Sequence, residues 1–121
     1  MTSISPTLGN DLFRAADAFD VDHYVTYLDP DVRFRFGNAE PITGREVVRE
    51  TVREFFTTIK GINHTILREW CEDDVLIQQL EVTYTRLDDK TVSLPAVNLL
   101  TVANGLITDY QIYVDLTPVY A

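Results

Sequence analysis

Residues 91–115, TVSLPAVNLLTVANGLITDYQIYVD, alternate in polarity for so long that paired β-strands are the structure they fit. Val92, Leu94, Ala96, Asn98, Leu100 and Val102 hold the even positions, ahead of Asn104-Gly105, a pair suited to a tight hairpin turn. Alternate strand residues point to one face, so this face is apolar except for the Asn98 amide. A buried amide without partners costs roughly 1–3 kcal/mol. Asn98 is therefore either bonded to neighbouring protein groups or left to meet a ligand.

The same alternation predicts strands at 62–72, 75–87, 90–103 and 106–116, separated by Glu72-Asp73-Asp74, Asp88-Asp89 and Asn104-Gly105. Turn-forming residues at these intervals imply consecutive hairpins and an antiparallel meander. Pro95 falls inside a strand, which predicts an edge position or a bulge. The first half of the chain has a different period. After a loose tail at 1–5, Leu8, Leu12, Phe13, Ala16 and Phe19 mark one helical face. Asp20 is placed to cap a short second helix carrying Tyr24, Val25, Tyr27 and Leu28, which Asp29-Pro30 would end. Val32, Phe34 and Phe36 alternate with Arg33 and Arg35 as a short strand. Thr43-Gly44-Arg45-Glu46 has capping-box spacing ahead of a third helix at 44–60, with Val48, Val52, Phe55, Phe56 and Ile59 on its stripe and Gly61 to stop it. Helices first and strands later describe an α+β domain whose helices cover one sheet face.

Length suits one domain over 1–121. The net charge of −9, without a basic run, argues against nucleic acid or an anionic membrane as partner. No apolar stretch approaches the roughly 20 residues that span a bilayer, and the first residues lack the pattern of a signal peptide. The single Cys71 fits a reducing cytoplasm. His23, His64 and Cys71 show no metal-ligand spacing, Glu72-Asp73-Asp74 lacks the pattern of a calcium loop, and no glycine loop is built for phosphate. The expectation is no metal and no cofactor.

Phe19-Asp20-Val21-Asp22, Asp31-Val32-Arg33-Phe34, Thr43-Gly44-Arg45-Glu46, Gly105-Leu106-Ile107 and Tyr113-Val114-Asp115, in this order of elements, resemble the nuclear transport factor 2-like superfamily, and within it the SnoaL-like branch. The resemblance covers roughly residues 7–117. It implies an α+β cone, a curved sheet wrapped around helices with an apolar cavity between, and a homodimer through the sheet. It implies either a cofactor-independent cyclase, isomerase, dehydratase or hydrolase, or a non-catalytic binder. Ketosteroid isomerase-like chemistry does not fit: the positions of its tyrosine and base align with Leu12 and Phe36. The water-activating cluster of limonene epoxide hydrolase-like members aligns with Thr83, Glu81, Ile112, Phe34 and Phe36, and does not fit either.

Three residues stand as catalytic candidates. Asn98 would donate to a substrate carbonyl or developing oxyanion. Asp115, the position of the base proposed for SnoaL-like cyclases, or His64 would move a proton. Simple alternation turns Asp115 away from the apolar face unless a bulge intervenes. His64 shares parity with Ile66 and Trp70, and its plainer role is packing. Tyr24, Phe34, Phe36, Phe55, Trp70, Tyr84 and Leu94 are the candidates for lining a ligand site, against a plain core role. The expected ligand is a small apolar molecule; the competing readings are a non-catalytic binder and a protein-interaction module.

Overall fold

The computed structural model describes residues 4–121. Positions 1–3 of the expected tail lie outside the described residues, and Ile4 packs against the core. The chain runs α1 (Leu8–Asp17), α2 (Val21–Tyr24), a 3-10 turn (Val25–Tyr27), β1 (Leu28–Phe36), β2 (Ile42–Thr43), α3 (Arg45–Phe56), β3 (Gly61–Glu72), β4 (Val75–Thr85), β5 (Thr91–Ala103), β6 (Leu106–Tyr113) and α4 (Thr117–Tyr120). The strands form one curved six-stranded sheet in the order β2-β1-β6-β5-β4-β3. Strands β3 to β6 make the expected meander, while β1 joins the edge of β6 in parallel. Asn104 and Gly105 both take left-handed backbone (φ 54° and 80°), as the β5–β6 hairpin requires.

The even face of β5 turns inward as its pattern predicts: Leu94, Ala96, Asn98, Leu100 and Val102 are all buried. Helices α1 and α3 cover this face, burying Leu8, Leu12, Phe13, Ala15 and Ala16 from one and Val48 and Val52 from the other. Pro95 pairs with Glu81 of β4, but the ladder to β6 begins only at Val97 and Tyr113. On that side Pro95 is at a local edge, and its missing N–H leaves no ladder bond unmade.

Four local expectations are corrected. Leu28 opens β1 and is not part of the second helix, because the extended backbone that proline imposes on Asp29 also serves a strand. The β1–β6 register shifts between Leu28 and Arg33 to absorb Pro30. Thr43 belongs to β2 and caps nothing; Gly44, at φ 106°, is the cap of α3, and Glu46 pairs with Arg49 instead. The helix ends at Phe56, and Gly61 opens β3. The short β2 and α4 carry too few residues to show a period. At the start of α3, Arg45 donates from Nε and Nη2 to the Leu28 carbonyl at 3.0 and 2.6 Å, tying that helix to the first strand. No helix among the described residues is long and apolar enough to cross a membrane.

Candidate functional site

A cavity of about 40 Å³ lies between the helices and the inward sheet face. Tyr24, Phe34, Phe36, Phe55 and Tyr84 line it, as do Asn98 and His64. Leu94 is buried close by but is not part of the lining. That volume has room for a few waters, so a larger ligand requires the half-buried rings of Phe36, Phe55 and Phe56 to move. These rings pack edge-on or tilted, with Phe36–Phe55 centroids 5.0 Å and Phe55–Phe56 centroids 6.1 Å apart.

His64 is held from three sides. Its ring stacks flat on Phe13, with centroids 4.2 Å apart. Its Nδ1 lies 2.6 Å from Asp17 Oδ1, and its backbone N–H donates to Asp17 Oδ2 at 3.0 Å. An acceptor at Nδ1 fixes the neutral tautomer with the proton on that nitrogen and leaves Nε2 as an acceptor. Nε2 has no partner among the described residues. Asp17 is set by the end of α1, where Phe19 takes left-handed backbone (φ 57°) and stacks on Phe56. The sequence reading missed Asp17, although it lies one helical turn after Phe13 on the side that meets β3.

Asn98 and Gln78 face each other across β4 and β5 and are, among the described residues, the two buried side chains of polar or charged type, at 2% and 0% exposure. Asn98 Nδ2 donates to Gln78 Oε1 at 3.3 Å, and Gln78 Nε2 donates to Glu69 at 2.7 Å. Asn98 Oδ1 is buried without a partner among the described residues. Gly9 of α1 lies directly above, where an added Cβ would collide with Glu69 and Gln78. A glycine is thus what lets the helix approach this pair.

Tyr24 and Tyr110 meet hydroxyl to hydroxyl at 2.9 Å, with Tyr24 as donor, so the Tyr110 proton remains free for another acceptor. Tyr110 also lines the cavity, from the inward row of β6. Burial raises the Tyr24, Tyr84 and Tyr110 phenols well above the ordinary range, so all three stay neutral donors at physiological pH. Their folded forms keep the proton above about pH 10, where the unfolded chain loses it. Stability should therefore fall as pH rises past that point, by about 1.4 kcal/mol per phenol per pH unit. Absorbance titration should show these three phenolates appearing only with loss of the folded circular-dichroism signal.

Two candidates stand elsewhere. Trp70 is 47% exposed on the outer face, because β3 carries an extra residue, Leu67, between the pairs Ile66–Leu80 and Arg68–Gln79. That bulge reverses the parity that simple alternation assigns to Trp70. Asp115 is exposed beyond the end of β6, where its carboxylate accepts the Thr117 N–H at 3.0 Å at the start of α4. Hydrogen bonds from Thr117 hold that carboxyl below the usual range, the reverse of what a general base near neutral pH needs.

Solved structures share this fold. A protein of ketosteroid isomerase-like fold from Catenulispora acidiphila, crystallised with trimethylamine, is 18% identical, with TM-score 0.86 over 95% of this chain and 90% of that one. A protein from Jannaschia sp. assigned as a SnoaL-like polyketide cyclase is 20% identical, with TM-score 0.79 over 92% and 85%. An LEH-like epoxide hydrolase from M. tuberculosis is 17% identical, with TM-score 0.77 over 89% and 80%. A search of curated protein sequences gives no significant match. The model of the SnoaL-like domain matches residues 10–110, most of the chain, and the protein belongs to the SnoaL-like domain family.

Proposed function

We propose that this protein is a cofactor-independent enzyme that moves a proton on a small, largely apolar substrate. The observation that carries the reading is His64 in the wall of an apolar cavity, with the Asp17 carboxylate on its Nδ1. His64 Nε2 would take a proton from the substrate, and the Asp17 carboxylate would stabilise the imidazolium that forms. The imidazolium then returns the proton. Delivery to another carbon gives isomerisation, and delivery to a departing hydroxyl gives dehydration, with hydration as its reverse. Delivery to the alkoxide left when the carbanion attacks an internal carbonyl gives cyclisation. His64 shares a row with Val82 and Leu94, four residues short of Asn98, which is about 13 Å of extended strand. Asn98 and Tyr110 would therefore anchor the substrate's polar groups away from the reacting end.

Calorimetry against a metabolite panel, followed by product analysis of each binder, tests this. Conversion by the wild type and binding without conversion by His64→Gln is the expected result. Binding without conversion by the wild type would sink it in favour of a non-catalytic binder. That second reading is supported by the cavity's small volume and by Phe34 and Phe36, aromatic where polar groups serve other chemistries.

We also propose a homodimer through the outer sheet face. Leu67, Trp70, Val97 and Tyr113 expose 55, 47, 39 and 55% of their surface there, and three of them line one open groove. Exposed apolar clusters of this kind mark interfaces. Light scattering should give a dimer at micromolar concentration and a monomer for Val97→Asp; a monomeric wild type would refute the proposal.

A further inference from the structure

Asn98 presents an acceptor to the cavity, and a chain of three side chains makes it do so. The chain starts at Glu69, whose carboxylate oxygen accepts the hydrogen bond. Gln78 Nε2 is 2.7 Å from it, so the Gln78 amide must turn its NH₂ toward Glu69. Gln78 Oε1 then faces Asn98, and the Asn98 amide must turn its NH₂ toward Gln78, at 3.3 Å. The carbonyl oxygen of Asn98 is left over, buried and without a partner among the described residues, in the cavity wall. Turning either amide over would set two oxygens or two NH₂ groups against each other. Gln78 is wholly buried, and α1 closes over the pair at Gly9, so neither amide can swing out to water.

We infer that the cavity selects an apolar ligand bearing a neutral hydrogen-bond donor, a hydroxyl, which docks on Asn98 Oδ1. It gives Asn98 a different role from the one expected of it, a donor to a carbonyl or oxyanion. A carbonyl or ether oxygen placed against Oδ1 would meet a second acceptor, whereas a hydroxyl satisfies it. The inference rests on the reading that the cavity takes a small apolar molecule, but not on catalysis. Gln78 and Glu69 act through Asn98 as positioning residues.

The test compares phenol, anisole and toluene, measured by NMR titration of wild type, Asn98→Leu and Gln78→Met. Phenol should bind the wild type about tenfold more tightly than the other two. The phenol-to-toluene ratio in Asn98→Leu, divided into that of the wild type, cancels differences in the probes' own hydration. Asn98→Leu should erase the preference. Gln78→Met should reduce it chiefly against anisole, because the freed Asn98 amide can then turn its NH₂ to the ether oxygen; this variant keeps the test alive if Asn98→Leu fails to fold. Equal binding of the three probes, with shifts at cavity residues, would overturn the donor requirement and leave the pocket standing. Binding of none of them would overturn the pocket reading, and the inference with it.

Discussion

Asp17→Asn is expected to lower kcat by about 100-fold or more while changing ligand affinity only a few-fold. The asparagine can accept from Nδ1 through its carbonyl or donate to it through its NH₂. The second arrangement puts the imidazole proton on Nε2, the nitrogen that should accept one, and neither supplies the negative charge that stabilises an imidazolium. His64→Gln should cost at least as much, and the double variant little more than the worse single one, since the two groups act as a unit. A purely structural pair behaves differently. Asp17 also binds the His64 backbone N–H, so it clips the end of α1 to β3. If that is all it does, Asp17→Asn lowers the thermal midpoint and leaves kcat and its pH profile unchanged. Recovery of turnover in His64→Ala on adding imidazole would speak for the chemical role.

Phe34→Ala is expected to lose about 3–5 kcal/mol of stability, a large part of the roughly 5–15 kcal/mol that holds a domain of this kind together. Phe34 is 2% exposed and stands edge-on to Tyr110, with centroids 5.2 Å apart. Its ring packs against Tyr110, the acceptor of the Tyr24–Tyr110 hydrogen bond. Removing the ring opens a void among Phe36, Tyr110 and Val32 that a twisted sheet closes only in part. Thermal melting should show a drop of about 10–20 °C. Phe34→Leu, which keeps most of the volume, should cost less than half as much; equal losses would mean that the ring's edge-on contacts, and not the volume it fills, carry the stability.

The long elements were legible because each repeats its period several times. Strands β3 to β6 fall within two or three residues of their expected bounds, and the inward face of β5 was read residue by residue. What stayed hidden was set by single residues acting across space. Leu28 could be read as the end of a helix or the start of a strand, and only its place beside β6 chose between them. Trp70 was placed by counting, and one bulged residue undid the count. The site divides in the same way. Asn98 was conspicuous as an amide on an apolar face, but which end of the amide it offers depends on Glu69, twenty-nine positions earlier in the chain and two strands away. Asp17 escaped notice because a carboxylate at the end of a helix is ordinarily solvated, and nothing local to it shows that His64 will arrive there.

The bulge at Leu67 also divides labour along one strand. Before it, β3 turns His64 and Ile66 to the helix-covered face; after it, the strand turns Glu69, still exposed at the sheet's edge, to that face and Trp70 to the other. A single inserted residue therefore acts like a frameshift in space, changing which surface every later side chain of that strand serves without changing any of them. Removal of Leu67 alone would return Trp70 to the cavity side and expel Glu69, so the contact between Glu69 and Gln78 would be lost and the outer apolar patch would be reduced to Val97 and Tyr113. The proposed ligand preference and the proposed dimer, on opposite faces of the sheet, would then share one origin, and lineages that vary in length at this point should vary in both at once.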